Sequence, residues 1–177
     1  MQLLLVRHCS ADGQAPDAGL TDEGKRQAAA LAEFLHTLSP DAIRTSPYRR
    51  ALQTAEPLSQ WTGIPFRVDR RLSERVLAGE PRQDWMDRLK DSFADPDLCL
   101  PGGESARCAT ERGMAVLAEL AQTKAARAVV VTHGGLLTHL LNHFDARFGF
   151  EAWSRLTYPD VFEVEWPASP VARIWNA

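Results

Sequence analysis

The stretch Leu-Leu-Leu-Val-Arg-His at residues 3–8 decides the fold, together with Ala-Val-Val-Val-Thr-His-Gly-Gly at residues 128–135. In each stretch, a short aliphatic run ends at a polar turn that carries a histidine. Runs of this length and composition predict buried parallel strands. In an open α/β sheet, ligands bind beyond the carboxyl ends of the strands. We therefore expect Arg7, His8 and His133 to converge on one site, although they come from opposite ends of the chain.

Helical patterns alternate with further short apolar runs along the chain. This alternation predicts an α/β fold in three layers, α/β/α, with a mainly parallel central sheet. We expect Thr21 to cap the first helix, and Ser46 with Pro47 to open the second. The other expected strands are 41–45, 64–68, 128–132 and a closing hairpin formed by 158–166 and 171–175.

The length of 177 residues is typical of one domain, so we expect a single domain over residues 1–177. Residues 75–101 contain several prolines and charges, which indicates a small helical excursion over the sheet edge. Trp85 and Leu89 are expected to anchor this excursion, and Trp85 and Trp153 are interpreted as packing residues rather than as a ligand cage.

The net charge of −3 is mild and shows no acidic or basic block. Charge therefore gives no support to a nucleic-acid or membrane partner. Apolar runs fall short of the roughly 20 residues of a membrane span, and a strand that begins at residue 2 leaves no room for a signal peptide. Cys9, Cys99 and Cys108 have no disulfide or metal spacing. These observations predict a cytoplasmic protein.

Six short blocks follow one another within residues 2–142. They are Val6-Arg7-His8, Leu20-Thr21-Asp22-Glu23-Gly24, Ser46-Pro47-Tyr48-Arg49-Arg50-Ala51-Leu52-Gln53-Thr54-Ala55, Arg71-Leu72-Ser73-Glu74-Arg75, Pro101-Gly102-Gly103-Glu104-Ser105 and Val131-Thr132-His133-Gly134-Gly135. In this order they resemble the histidine phosphatase superfamily, also called the phosphoglycerate-mutase-like family.

The resemblance implies that His8 is a nucleophile that forms a phosphohistidine, and that Glu74 protonates the leaving oxygen and later activates water. A neutral imidazole is available for such an attack near pH 7. The resemblance further implies that four groups hold the phosphate: Arg7, Arg50, His133 and the backbone amide of Gly134. Guanidinium groups suit this task because their forked donors match phosphate oxygens. No metal and no cofactor are expected.

The sequence departs from the family pattern at two places. Cys9 stands where the family most often has Gly, and we interpret it as a small buried residue in preference to an oxidation-sensitive thiol. The mutases continue with Trp-Asn, whose Asn contacts phosphate, whereas this chain has a shorter loop and Gln14, to which that role is not transferred. The short loop and short excursion favour a phosphatase, a phosphoric monoester hydrolase of the histidine acid type, over a mutase.

Three alternatives stay open at this stage: a phosphoglycerate mutase, a phosphatase of phosphohistidine or other phosphoproteins, and a silent phosphate-binding module. The expected partner is a small phosphorylated substrate, selected by the loop 9–19 and by the excursion. Arg75, Arg82 and Arg88 of the excursion could bind a second anionic group. The exposed edge of the closing hairpin could pair two chains into a homodimer, although no residue requires it.

Overall fold

The computed structural model describes residues 1–168 and 170–175, and these form one mixed sheet covered by helices. The strands are β1 Gln2–Arg7, β2 Ala42–Thr45, β3 Phe66–Val68, β4 Arg127–Thr132, β5 Asp160–Glu165 and β6 Val171–Arg173. The α-helices are α1 Asp22–Thr37, α2 Arg49–Thr62, α3 Trp85–Ala94, α4 Ala106–Ala121, α5 Gly134–Phe144 and α6 Phe150–Ser154.

The sheet has the strand order β3-β2-β4-β1-β5-β6. The pairs β3–β2, β2–β4 and β4–β1 are parallel, whereas β5 pairs antiparallel with both β1 and β6. The predicted α/β class and the mainly parallel sheet are therefore confirmed, and the predicted hairpin forms the antiparallel edge.

Alternate residues of β1 point to opposite faces of the sheet, as the period of a strand requires. Leu3 and Leu5 pack in a core that includes residues of α4 and α5. Leu4 and Val6 pack in a second core with residues of α1 and α2. Both faces of β1 are covered, which explains why its sequence is continuously apolar.

Two helices begin at a side-chain cap, and the first of these caps is the predicted Thr21. Thr21 accepts a hydrogen bond from the amide of Gly24 at 2.9 Å and so caps α1. Ser105 accepts from the amide of Cys108 at 3.1 Å and caps α4.

The expectation that Ser46 and Pro47 open a helix is wrong. The second helix begins at Arg49 with Tyr48 as its N-cap, and the side chain of Ser46 is engaged by a histidine instead. This helix runs to Thr62, where Gly63 at a φ of 72° terminates it in the left-handed conformation.

The excursion 75–101 contains α3, and Leu89 is buried as expected. The expectation that Trp85 is an anchor is wrong, because this side chain is 45% exposed at the start of α3. The short helix α6, which carries Trp153, was not expected at all. Among the described residues, we find no helix with the length and apolar character needed to cross a membrane.

Candidate active site

The two histidines lie side by side because their strands are neighbours. Arg7 at the end of β1 is in register with Thr132 at the end of β4, and the amide of His8 donates to the carbonyl of Thr132 at 3.0 Å. The rings of His8 and His133 are 5.1 Å apart, centroid to centroid, and both are buried. The predicted convergence at the carboxyl ends of the strands is thus observed.

The imidazole of His8 is oriented by two hydrogen bonds. Its Nδ1 lies 2.7 Å from the carbonyl oxygen of Cys9, which can only accept, so Nδ1 carries the proton. Burial, reinforced by the nearby guanidinium groups of Arg50 and Arg7, lowers the pKa of His8 to about 3. The ring is therefore neutral, and its Nε2 holds a lone pair.

Arg50 is hydrogen-bonded to this nitrogen. Its Nε donates to Nε2 of His8 at 3.1 Å, and its Nη1 donates to the carbonyls of Gln14 and Ala15 at 3.2 and 2.8 Å. The side chain is buried in the first turn of α2, and burial lowers its pKa from the usual range. Neighbouring Arg49 is exposed.

His133 is held by Ser46, whose hydroxyl lies 2.7 Å from the Nε2 of the ring. The Ser46 oxygen accepts from the amide of Tyr48 at 3.3 Å, so its hydrogen is free to go to His133. Burial and the nearby His8 and Arg50 lower the pKa of His133 well below its ordinary value, so the ring is neutral. With the Ser46 hydroxyl as the donor to Nε2, the single ring proton is on Nδ1. In the described part of the chain, this Nδ1 is buried without a hydrogen-bond partner.

Arg7 is fixed in a similar way. Its Nη1 donates to the carbonyl of Leu156 at 3.0 Å, and its guanidinium carbon lies 3.5 Å from the ring centroid of Tyr158. Its Nε is buried, again with no hydrogen-bond partner among the described residues. A Cβ on Gly134 would come within 3.2 Å of this Nε, so a glycine there allows the guanidinium to lie against the start of α5.

Glu74 reaches the N-terminus of α5. Its carboxylate accepts hydrogen bonds from the amides of Gly135 and Leu136, both at 2.9 Å, and from the amide of Arg75 at 2.8 Å. A helix N-terminus favours a negative group at this place. The side chain of Arg71 pairs with Asp69 and Glu119 and is directed away from Glu74.

A cavity of about 390 Å³ opens at this edge of the sheet. Its inner wall consists of Arg7, His8, Glu74 and Gly134, and its outer wall of Gln14, Trp85, Trp153 and Tyr158. The structure thus brings together every residue that was expected at the site, with Arg50 and His133 immediately behind His8.

The sequence interpretation missed the outer wall. Trp85 and Trp153 were assigned to packing, and this is corrected because both line the cavity. Tyr158 was seen only as the start of a strand, yet its ring lies 5.5 Å from that of His8. A signal was available in the two large aromatic residues placed in segments with few other apolar residues.

Cys9 is buried, and burial raises the pKa of its thiol to about 12. The thiolate needed for oxidation is therefore scarce, which supports the interpretation of Cys9 as a small buried residue. His139 on α5 does not line the cavity; it is buried and stacks on Phe93, with ring centroids 4.6 Å apart.

Comparison with known proteins agrees with this geometry. The family model of the histidine phosphatase superfamily, branch 1, matches residues 3–166. The chain belongs to this superfamily. The predicted family is thereby confirmed.

Two curated relatives illustrate the range within the family. Glucosyl-3-phosphoglycerate phosphatase of Mycolicibacterium vanbaalenii is 33% identical over 166 residues, which cover 78% of this chain and 72% of the relative. The probable phosphoglycerate mutase GpmB of Klebsiella pneumoniae is 29% identical over 192 residues, covering 96% and 87%.

A solved structure of a related phosphatase has the same fold. Mycobacterial glucosyl-3-phosphoglycerate phosphatase in complex with inorganic phosphate superposes with a TM-score of 0.77 at 28% identity, covering 99% of this chain and 97% of that one. The likeness extends over the whole sheet and its helices, including the hairpin beyond the six sequence blocks.

Proposed function

We propose that this histidine phosphatase hydrolyses small phosphomonoesters without a metal, through a phosphohistidine on His8. One observation carries the proposal. Two buried donors, Nε of Arg7 and Nδ1 of His133, have no partner within the described residues, and both belong to residues that neighbour the neutral His8. Buried polar groups are normally hydrogen-bonded, so unpaired donors beside a nucleophile point to an anion that completes them.

In the first step, Arg50 exchanges its hydrogen bond to Nε2 of His8 for one to a phosphate oxygen, which frees the Nε2 lone pair. This lone pair attacks phosphorus, and the bond from phosphorus to the leaving oxygen breaks. Glu74, which takes up a proton as the anionic phosphate ester binds beside it, delivers this proton to that oxygen and becomes again the carboxylate held by the amides of Gly135 and Leu136. Arg7, Arg50, His133 and the amide of Gly134 stabilise the charge on the non-bridging oxygens, which is the main task in phosphoryl transfer. The alcohol is then free to depart.

In the second step, water attacks phosphorus and the bond between phosphorus and Nε2 breaks. The Glu74 carboxylate takes a proton from this water, which returns Glu74 to its initial state and releases inorganic phosphate. The hydrogen bond from Nδ1 of His8 to the Cys9 carbonyl keeps the ring in one orientation through both steps.

Hydrolysis of an aryl phosphate in excess chelator tests the proposal, with His8→Ala as the comparison. We expect turnover that survives chelation and is abolished in His8→Ala. Turnover that needs a metal, or that persists in His8→Ala, would contradict the mechanism. Phosphate binding without turnover would favour a silent binding module.

A location in the cytoplasm and assembly as a homodimer belong to the same proposal. Cell fractionation tests the first. Light scattering of the purified protein tests the second, since a dimer has twice the mass of 19.6 kDa.

A further inference from the structure

The outer wall of the cavity is built from aromatic rings on separate elements. Trp85 begins α3, Trp153 lies on α6, and their rings meet edge to face with centroids 6.4 Å apart. Phe150 stacks under Trp153 at 5.7 Å and supports it from behind. Tyr158 continues the wall to His8, so that aromatic surface extends from the nucleophile to the mouth of the cavity.

Part of this wall is exposed apolar surface. Trp85 is 45% exposed, and its neighbour Met86 on the same excursion is 41% exposed. Large exposed apolar side chains at the rim of a cavity mark a surface that a ligand covers.

The charged residues of the cavity indicate that the part of the substrate beyond the phosphate is uncharged. Within residues 1–168 and 170–175, the lining contains one cation, Arg7, and one acidic side chain, Glu74. The unpartnered Nε of Arg7 is the atom proposed to hold the phosphoryl group. A second anionic group on the substrate would therefore meet aromatic rings and Gln14 without a cation to pair with it.

The arginines expected to bind a second anion are engaged elsewhere, and that expectation is wrong for Arg75. Its guanidinium is buried, donates to the Glu104 carbonyl at 2.9 Å and to Ser92 at 2.7 Å, and lies 3.2 Å from His139. It ties the excursion to the body of the protein.

Arg82 and Arg88 both pair with Asp84, at 2.8 and 3.0 Å, and neither lines the cavity. The expectation of a second anion site is therefore not supported for these two residues either.

We propose that the leaving group of the substrate is an uncharged ring that packs against Trp85 and Trp153, which stand at 78° to each other, so that the ring stacks on one indole and meets the other edge to face. This inference rests on the proposed phosphatase function and names its substrate class. The ring is an aromatic or heterocyclic group, or the apolar face of a sugar, since both offer a flat surface to indole. Substrates that carry a carboxylate or a second phosphate on the leaving group are disfavoured, which sets this site apart from one built for phosphoglycerates.

Four phosphate esters of primary alcohols test separately the effect of a ring and the effect of a charge on the leaving group. Their leaving groups are of similar basicity. Benzyl phosphate and propyl phosphate differ in the ring, and benzyl phosphate and 4-carboxybenzyl phosphate differ in the charge. We expect kcat/KM for benzyl phosphate to exceed each of the other two by about tenfold, the size of a favourable aromatic contact. Glucose 6-phosphate, the fourth, presents a neutral sugar ring and distinguishes a carbohydrate from an aromatic preference.

Two variants assign the preference to the proposed wall. Trp85→Ala and Trp153→Ala are expected to reduce the benzyl-to-propyl ratio of kcat/KM from about tenfold to about twofold, because the stacking contact is lost. Trp61→Ala is the matched control, since Trp61 is also exposed, at 54%, but lies on α2 and stacks on His36. Its ratio is expected to stay at the wild-type value, and circular dichroism verifies that each variant is folded.

The outcomes separate the two proposals. A preference for 4-carboxybenzyl phosphate, or a ratio unchanged in both tryptophan variants, overturns the ring inference and leaves the phosphatase function in place. Absence of hydrolysis for all four esters contradicts the function. In that case, calorimetric titration of His8→Ala with benzyl and propyl phosphate still tests the ring, and equal dissociation constants would overturn it.

Discussion

Lowering the pH from 7 to 5 is expected to destabilise the fold through its buried histidines. Burial lowers the pKa of both His8 and His139 from 6.5 to about 3. The folded state therefore binds fewer protons than the unfolded state in this range. The contribution to stability is fully present above about pH 6.5 and is lost as the pH falls toward 3.

The magnitude follows from the separation of the two pKa values. At pH 5 an unfolded histidine with a pKa of 6.5 is almost fully protonated, whereas the folded ring is neutral, so each histidine costs about 2 kcal/mol. Two histidines together cost about 4 kcal/mol, a large share of the roughly 5–15 kcal/mol that stabilises an ordinary domain. His133, whose pKa is also lowered by burial, adds to this loss.

Urea unfolding at pH 7 and pH 5, followed by tryptophan fluorescence, measures the effect. His139 is the residue to change because it lies outside the candidate site. In His139→Gln, the amide oxygen can still accept a hydrogen bond from Arg75, but the side chain binds no proton between pH 7 and pH 5. The decrease in the free energy of unfolding between these two pH values should therefore be smaller by about 2 kcal/mol. His36→Gln, at an exposed position, is the control and should retain the full loss. An equal loss in His139→Gln and wild type would refute the reasoning.

Three further predictions concern the site. Arg50→Ala should reduce turnover by ~10²–10³, as for other preorganised donors, whereas substitution of its exposed neighbour Arg49 by Ala should change little in the same steady-state assay. Gly135→Ala places a Cβ 2.8 Å from a carboxylate oxygen of Glu74, so the displaced acid should slow alkyl phosphates by about 10²-fold and good aryl leaving groups much less; equal slowing would argue against Glu74 as the acid. Iodoacetamide at pH 8 should leave Cys9 unmodified in the folded protein while the two exposed cysteines react, which peptide mass spectrometry measures.

The sequence was sufficient for the features that depend on local pattern. The apolar runs of β1 and β4 are covered on both faces, so they read as continuous strands, and their ends carry His8 and His133 to one edge of the sheet. The predicted cap Thr21 is likewise a local interaction within one turn.

What the sequence did not predict depends on tertiary contacts. Ser46 resembles a helix cap in the sequence, but its hydroxyl is hydrogen-bonded to His133 at the end of the neighbouring strand β4. The helix starts three residues later. Trp153 lies on a helix of five residues, too short to show a period. Arg75 resembles a solvated charge, although it is buried between the excursion and α5.

The central claim is that His8 carries the phosphoryl group, and a rapid-quench experiment tests it most directly. Glu74→Gln is the variant to use with a good aryl leaving group, because phosphorylation of His8 then needs no acid while the attack of water lacks its base. We predict up to one phosphoryl group per chain, on the peptide that contains His8, stable to alkali and labile to acid. A phosphoryl group on another residue of Glu74→Gln would contradict the account. So would the absence of any phosphoryl group on this variant when the wild-type enzyme rapidly hydrolyses the same ester.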